Sequence, residues 1–446
     1  MKRVALISPC GWGNLGDAAI LDALIDQLRT HNKLIEIVGL TQNPSDTAKR
    51  HGINTFPLCG FSRKGYVISL SPAAAPQETN SSPCHVKPPQ AVSGRRIPTF
   101  LKRASLAVPG YGPLIRIKRS VASIVGECLH LYPSFRLLDG IDLVLVAGGG
   151  QLDDVWGGSW GHPWVLFRWS LLAKLAGVPM AIPSVGVGRL DSRLSRFFVR
   201  YTLRLATYRS YREQGSKDMA AFSHVSGADP VVPDLAFSYP ARVSPPRSNL
   251  RVIGVSPMNF NNPHSWPDKD PNVFSRYIDS MAALIEDLVY AGYSVSLFPS
   301  ALSDRRTMDI VCTKLDPDIV SRVARPAVET VEDLFETLAT VDVTIASRLH
   351  GLLLSLVAQR PIVALSYERK VEALMRNTGN QAYCLDIRDF TPAAVRIALD
   401  KLVTNLTSVQ EKNAAVVLKN AAAVRFQYAQ IAGLSATSRT TRQESC

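Results

Sequence analysis

The feature that most constrains the fold is a rhythm that occurs twice along 446 residues. Short apolar, β-branched runs alternate with stretches whose apolar residues recur at helical spacing. In the first half KRVALIS reads as a strand, AAILDALIDQLRTH as a helix, and LIEIVGL and INTFPL as further strands. The pattern resumes at IDLVLVAGGG, a strand entering a glycine turn. Helix WVLFRWSLLAKLAG, strand PMAIPSVG, helix DSRLSRFFVRYTLRLA, a short strand around TYRSYRE and a short helix at SKDMAAFS follow. The second half starts at RVIGVSPM. Helix NVFSRYIDSMAALIEDLVYAG, strand YSVSLFPS, a helix around DRRTMDIVCTKL, short strand IVSRVA and helix TVEDLFETLATV precede strand DVTIASR. Helix GLLLSLVAQ, strand PIVALSY, helix KVEALMRNTG and strand AYCLDI complete it. Such alternation predicts an α/β protein with two Rossmann-like, doubly wound, mostly parallel domains. Their strands' carboxyl ends would face a shared cleft, where ligands of open α/β sheets bind.

The expected boundaries are an N-terminal domain over 1–238, a linker over 239–250 in Pro-rich sequence, and a C-terminal domain over 251–390. C-terminal helices over 391–434 and a frayed tail over 435–446 follow. One stretch breaks the rhythm. Residues 61–120 hold eight prolines, ten Lys or Arg and a single acid, Glu78, and so carry +9 of the net charge of +13. The prolines forbid a packed run of helix or strand. A flexible basic insertion over 60–120 is expected, either a solvated loop or a contact with anionic lipid. Because the excess charge is concentrated there, the basic balance does not argue for nucleic acid. The seven cysteines are scattered without a CxxC pair, so neither a disulfide framework nor a zinc site is expected, and a reducing cytoplasm is the default. VALIS is too short for the core of a signal peptide.

The densest chemistry lies in SRLHG. Ser347, Arg348 and His350 fall at the carboxyl end of a strand and around a helix N-terminus. Backbone N–H groups and the helix dipole favour an anion there. Arginine adds a forked, permanent charge, and a histidine can give or take a proton near neutral pH. The competing reading is structural: an arginine salt-bridged to the neighbouring domain and a histidine capping the helix. Other candidates share the strand ends. GWGNLGD places Asn14, Gly16 and Asp17 after the first strand, and AGGGQLDD places Gly148, Gly149 and Gly150 at another. SYREQGS offers Arg212 ahead of a serine-capped helix, and SYERK offers Lys370 at a helix start, against the dipole preference. NFNNPHSWPD brings His264 and Trp266 to the loop after the second domain's first strand. Trp156, Trp160, Trp164 and Trp169 cluster in one stretch, as a sugar platform or as buried packing. No metal-ligand spacing is visible.

These pieces in this order, from NLGD through GGG, YRE…S and VPDLAF to SRLHG and SYERKVEAL, resemble the polysaccharide pyruvyl transferase family. The resemblance covers most of the chain, and its last two motifs are the specific ones. It implies a fold like the two-Rossmann GT-B glycosyltransferases. It also implies transfer of the pyruvyl group of phosphoenolpyruvate onto two sugar hydroxyls with release of phosphate, in cell-surface polysaccharide biosynthesis. The family's arginine and histidine fall on Arg348 and His350, and its arginine before the short helix on Arg212. The match departs at Glu213, where the family often has aspartate. The expected partners are phosphoenolpyruvate, with no resident cofactor or metal, and a saccharide acceptor, free or lipid-linked. A cytoplasmic enzyme, alone or peripheral on the inner membrane face through 61–120, fits this reading. Whether His350 acts as acid or base stays open. Two rival readings remain. One is a nucleotide-sugar glycosyltransferase or epimerase on the same architecture, with Glu368 on a ribose. The other is a non-catalytic, membrane-docked assembly protein.

Overall fold

The structure is a computed structural model. It describes residues 1–8, 13–60, 125–155, 157–225, 228–242, 250–263 and 270–443, the side chains of 435–443 excepted. His264, Trp266, Trp156 and the basic stretch 61–120 lie outside the described residues. The chain divides into two compact units, Met1–Leu58 with Leu137–Cys446, and Cys59–Arg136. In the smaller unit the backbone is helical from residue 125, and the Glu127 carboxylate accepts the Gly60 N–H at 2.9 Å.

The larger unit holds two parallel sheets. The first contains β1 (Arg3–Ser8), β2 (Glu36–Thr41), β3 (Asn54–Pro57), β4 (Leu143–Val146), β5 (Gly149–Leu152), β6 (Met180–Val187) and β7 (Tyr208–Tyr211). Ala181 of β6 pairs with Leu145 on one edge and Tyr208 on the other, and Val185 pairs with Gly149 and Tyr211 in the same way. β4 and β5 are therefore successive pieces of one line, broken where Gly148 and Gly149 adopt φ of 56° and 72°, a region open to glycine without strain. The second sheet has the order β10 (Val323–Ala324), β9 (Ser294–Leu297), β8 (Val252–Ser256), β11 (Val343–Ala346), β12 (Ile362–Ser366), β13 (Cys384–Asp386). With β4 and β5 counted as one strand, both sheets follow the doubly wound order 3-2-1-4-5-6, whose switch point beside the first strand opens a crevice at the carboxyl ends.

A matched device starts each sheet. Asp142, just before β4, accepts the N–H groups of Lys2 and Arg3 at 2.5 and 3.1 Å. Asp342, just before β11, accepts those of Arg251 and Val252, both at 2.8 Å. In each half the carboxylate satisfies the leading N–H groups of the first strand and so fixes its register against the fourth position. The two aspartates lie in GIDLVLVA and TVDVTIA, a local correspondence between strands whose other residues differ.

Helices α1 (Leu15–His31), α2 (Pro44–His51), α3 (His162–Leu175), α4 (Arg193–Leu205) and α5 (Gln214–Met219) accompany the first sheet. The second has α6 (Pro271–Tyr290), α7 (Arg305–Cys312), α8 (Pro317–Val320), α9 (Val331–Thr340), α10 (Leu349–Val357), α11 (Arg369–Asn377) and α12 (Pro392–Thr404). Apart from His350 and Ser355, α10 is apolar on every side. Leu349, Leu352 and Leu356 join the second sheet's core, while Leu353, Leu354 and Val357 join the cluster built on α1. A helix apolar all round must be buried all round, so α10 is wedged between the halves. The last helix, α13 (Leu406–Gln443), returns to the first half, where Val424, Tyr428 and Ile431 join the same cluster. Buried Gln427 donates to the Ser184 hydroxyl at 3.0 Å and accepts from Ser210 and Tyr208.

Four local expectations change. AGGGQLDD is a strand across Gly149–Leu152 as well as a turn, because the β6 edge is vacant beyond β4. IVSRVA contributes only Val323–Ala324 as strand, since Asp316 caps a short helix over Pro317–Val320. Helix α2 was not anticipated. Its signals are Asn43, which caps through its side chain, and Pro44 at the first helical position. The backbone of α13 stays helical to Gln443, past the point near 435 where fraying is expected, and residues 435–443 contain neither glycine nor proline. Asp342→Ala is expected to lower unfolding stability by about 2–3 kcal/mol, the scale of buried charge-assisted hydrogen bonds left unmade. Denaturant titration checks this, and a change of only a few tenths would show that β8 does not depend on the carboxylate.

Candidate active site

Every loop that carries a described candidate residue leaves a strand's carboxyl end. Ser347 to His350 follow β11, Lys370 follows β12, Arg212 follows β7, and Asn14, Gly16 and Asp17 follow β1. The wedge helix α10 brings the first three against the last three. A Cβ on Gly16 would overlap the imidazole of His350, so glycine is what allows α1 to lie against that ring. Beside it, Leu302 donates its N–H to Gly13 O at 2.8 Å, and Asn14 bridges to Ala301. Asn14 also orders the turn: its Oδ1 accepts the Gly16 N–H at 3.0 Å and its Nδ2 donates to Asp17 at 2.8 Å. Burial pushes the Asp17 carboxyl above its ordinary value, with the charges of His350 and Lys370 opposing.

Asp234, from VPDLAF, sits at the centre. It is buried, its Oδ1 accepts the Ala236 N–H at 3.0 Å, and its Oδ2 accepts from Arg212 Nη1 at 3.1 Å. The same Oδ2 stands 3.6 Å from His350 Nε2, a charge contact longer than a hydrogen bond, and that nitrogen has no closer polar partner among the described residues. Burial alone would raise the Asp234 carboxyl, but His350, Arg212 and the Ala236 N–H outweigh it and hold it far below the carboxylate range. The result is a fixed anion facing the imidazole, placed to balance a proton on the ring. Arg212 is itself fixed. Its Nε donates to Glu213 at 2.8 Å, and a Cβ on Gly186 would press on its Nη2. Ser216 does not cap its short helix. It accepts the Val187 N–H at 2.9 Å and donates to Glu213.

Arg348 is held within its own half. Its Nε and Nη2 grip Asp304, which is wholly buried, at 2.5 and 2.6 Å, and Nη2 also donates to Asn259 at 2.8 Å. The salt-bridged reading is therefore correct for one edge of the guanidinium, although the partner is not in the other domain. Nη1 of Arg348 and Nη2 of Arg212 have no hydrogen-bond partner among the described residues. Lys370 pairs with Glu368 at 2.9 Å and lies 5.4 Å over the Tyr367 ring. Burial opposes its charge, but Tyr367 and Glu368 prevail and keep its ammonium protonated above the usual range. Asp153, at the end of β5, lies against Gly188 and within electrostatic reach of Lys370. Burial pushes its carboxyl up to about 6, with Lys370 opposing.

Among the described residues, seven α-helices donate a first-turn N–H to the side chain of their N-cap residue, among them α1, α4, α6 and α9. α10 and α11, which start at the cleft with Arg348 and Glu368 as N-caps, take none. Their first-turn N–H groups, with His350 and Lys370 alongside, offer a place for an anion.

The other expected residues contribute less directly. Ser347 is fully buried and its hydroxyl finds no partner among the described residues. Gly148 supports Leu235 beside Asp234, Gly149 approaches Ile20 of α1, and Gly150 faces open space. Trp169 is buried, donating its indole N–H to Leu58 O at 2.9 Å. Trp160 and Trp164 belong to an aromatic surface on α3 and α4. Sequence reasoning did not single out Asp234, Asp304 or Asp153. The signal for Asp234 was available, since VPDLAF carries one acid in an otherwise apolar run. Among the described residues no three His, Cys, Asp or Glu side chains are grouped to hold a metal ion.

Known proteins agree with this architecture. The chain is similar to UDP-GlcNAc 2-epimerase from Neisseria meningitidis bound to UDP-GlcNAc (TM-score 0.54, 12% identity, 97% of this chain and 100% of that one). It is also similar to a glycosyltransferase from Rickettsia africae (0.53, 8%, 96% and 97%) and to MnaA of S. aureus with UDP (0.51, 10%, 93% and 91%). At these identities the likeness is one of fold, and the fold is GT-B-like. No curated protein matches the chain in sequence. The sequence pattern of the family described as polysaccharide pyruvyl transferase matches residues 14–369. That span runs from Asn14 at the first turn, through Arg212, Asp234, Arg348 and His350, to the start of α11, and the chain belongs to the polysaccharide pyruvyl transferase family.

Proposed function

We propose that the cleft transfers the pyruvyl group of phosphoenolpyruvate to two hydroxyls of a saccharide, forming a ketal and releasing phosphate. The observation that carries this reading is the Arg212–Asp234–His350 constellation beside the uncapped starts of α10 and α11. Phosphoenolpyruvate carries close to three negative charges and must be met by several cations and N–H groups to leave water. Arg212 Nη2, Arg348 Nη1 and Lys370 supply the cations, and the helix starts supply the N–H groups.

The proton inventory is simple. The methylene carbon gains one proton and two hydroxyls lose theirs, so the second hydroxyl proton leaves with the phosphate. One residue can take a proton from a hydroxyl and give it to the methylene carbon. We assign that role to His350 because Asp234, 3.6 Å from its Nε2, stands ready to balance its charge. Asp234 acts through His350 and Arg212, as a positioning residue. Asp153, with a carboxyl pushed to about 6, is a second group that can hold a hydroxyl proton at the β5 rim. The balance calls for no resident cofactor.

The test is phosphate release from phosphoenolpyruvate with and without envelope saccharides. His350→Ala is expected to cut turnover at least ~10²-fold, the scale of general acid–base catalysis, with folding unchanged. Near-normal turnover in that variant, or binding of a nucleoside diphosphate sugar without any response to phosphoenolpyruvate, would overturn the reading. Gly16→Ala pushes the imidazole out of place without altering it, and a displacement of that size is worth ~10²-fold in turnover. Wild-type turnover in Gly16→Ala would mean the ring position is not critical. Asp153 makes a separate prediction. Its folded value of about 6 lies above the ordinary 3.8, so the folded chain holds that proton more tightly than the unfolded chain does. The Asp153 contribution to stability is full below the ordinary value and is lost as pH rises through the folded one. Unfolding measured across that window should show this slope in the wild type and lack it in Asp153→Asn.

A further inference from the structure

Helices α3 and α4 lie side by side and carry a surface that the cleft chemistry does not use. α4 reads RLSRFFVRYTLRL, with four arginines and no acid. Its inner face, Phe198, Val199 and Leu203, is buried. Its outer face is not simply polar: Phe197 is 46% exposed and Tyr201 38%, and α3 adds Leu175 at 68% with Trp160 just before it at 63%. The rings support one another. Phe197 and Tyr201 have centroids 4.6 Å apart, and Phe167 stacks on Phe198 at 5.3 Å. Arg193, Arg196 and Arg204 are exposed, and none of the four arginines forms an ion pair among the described residues. Arg196 and Arg200 are steadied by the backbone carbonyls of Leu190 and Phe222. Arg193, Arg196, Phe197 and Arg200 together line an open surface groove of about 300 Å³.

We propose that this face docks on an anionic lipid bilayer, its exposed rings in the headgroup layer and its arginines on lipid phosphates. Aromatic and leucine side chains with arginines that have no acidic partner around them match what an interfacial helix requires. The charge argues against other occupants. A symmetric pair of chains would set two groups of arginines against each other. An acidic protein would answer the arginines and leave the exposed rings without a role. Docking also bears on the site. The loop into α4 is tied to the carboxyl end of β5, where Asp154 donates its N–H to Arg189 O at 3.0 Å and its carboxylate accepts the Ser192 N–H at 3.3 Å. A bilayer held against α4 is thus coupled through one short loop to the β5 rim of the cleft. The inference goes beyond the pyruvyl-transfer reading and stands without it.

The test is sedimentation of the full chain with phosphatidylcholine vesicles, with and without phosphatidylglycerol. Binding should require the anionic lipid and weaken with salt. The double variant Arg193→Glu/Arg204→Glu, both at exposed positions, should lower the vesicle-bound fraction at least ~10-fold. Phe197→Ser should lower binding even at low salt. Brominated lipid should quench emission from Trp160 in the wild type, and that quenching should be lost in Trp160→Phe. Circular dichroism and thermal unfolding in vesicle-free solution verify that the variants fold. Vesicle binding unchanged in both the charge and ring variants would overturn the proposal, as would a wild type that ignores anionic vesicles. A wild type that instead self-associates through this face would overturn it too.

Discussion

A buried carboxylate between a guanidinium and an imidazole governs how the halves of the larger unit meet. Asp234 is almost fully enclosed and held ionised. An unpaired charge in that position would cost several kcal/mol, so Arg212 at the end of β7 and His350 on α10 must both arrive for the interface to close. The anion therefore selects one relative placement of the first sheet and the wedge helix. Apolar packing alone would tolerate small slips of α10 against α1. The overlap that any side chain at residue 16 would produce with His350 narrows the choice from the other side.

The stability of this arrangement and its chemistry are linked through the same atoms. Asp304 is to Arg348 what Asp234 is to Arg212: a buried acid that consumes one edge of a fork and aims the rest. Two arginines fixed in this way lose little side-chain freedom when an anion arrives, because their conformations are already set. Preorganisation of this kind is expected where a small, highly charged substrate must be desolvated.

Much of this was legible in the sequence. Strand–helix alternation gave two doubly wound sheets, since period-2 and period-3.6 runs are strong over long segments. The position of SRLHG at a strand's carboxyl end and a helix start was legible because it lies between two apolar runs of different period. What escaped had physical reasons. β5 depends on a vacant edge of β6, a tertiary fact. Asp234 and Asp304 look like ordinary helix caps or turn acids until their distant partners are known, and Arg212 and Arg348 lie 22 and 44 residues away. The shared aspartate of the two halves was missed because the surrounding strands differ in every apolar choice while keeping the same alternation. That Asp304 engages one edge of the Arg348 fork is likewise a tertiary fact, hidden from the sequence by the 44 residues between them.

The return of α13 to the first half has a consequence for how the chain is made. Gln427, which bonds Ser210 and Ser184, lies 217 and 243 residues beyond them. Ser184 holds a φ of 47°, unusual for a residue with a side chain. During synthesis β6 and β7 leave the ribosome long before that glutamine is available, so their buried hydroxyls must wait, solvated or misbonded, while the entire second sheet is translated. The first half can begin folding early, yet its buried hydrogen bonds are completed only when the last helix arrives.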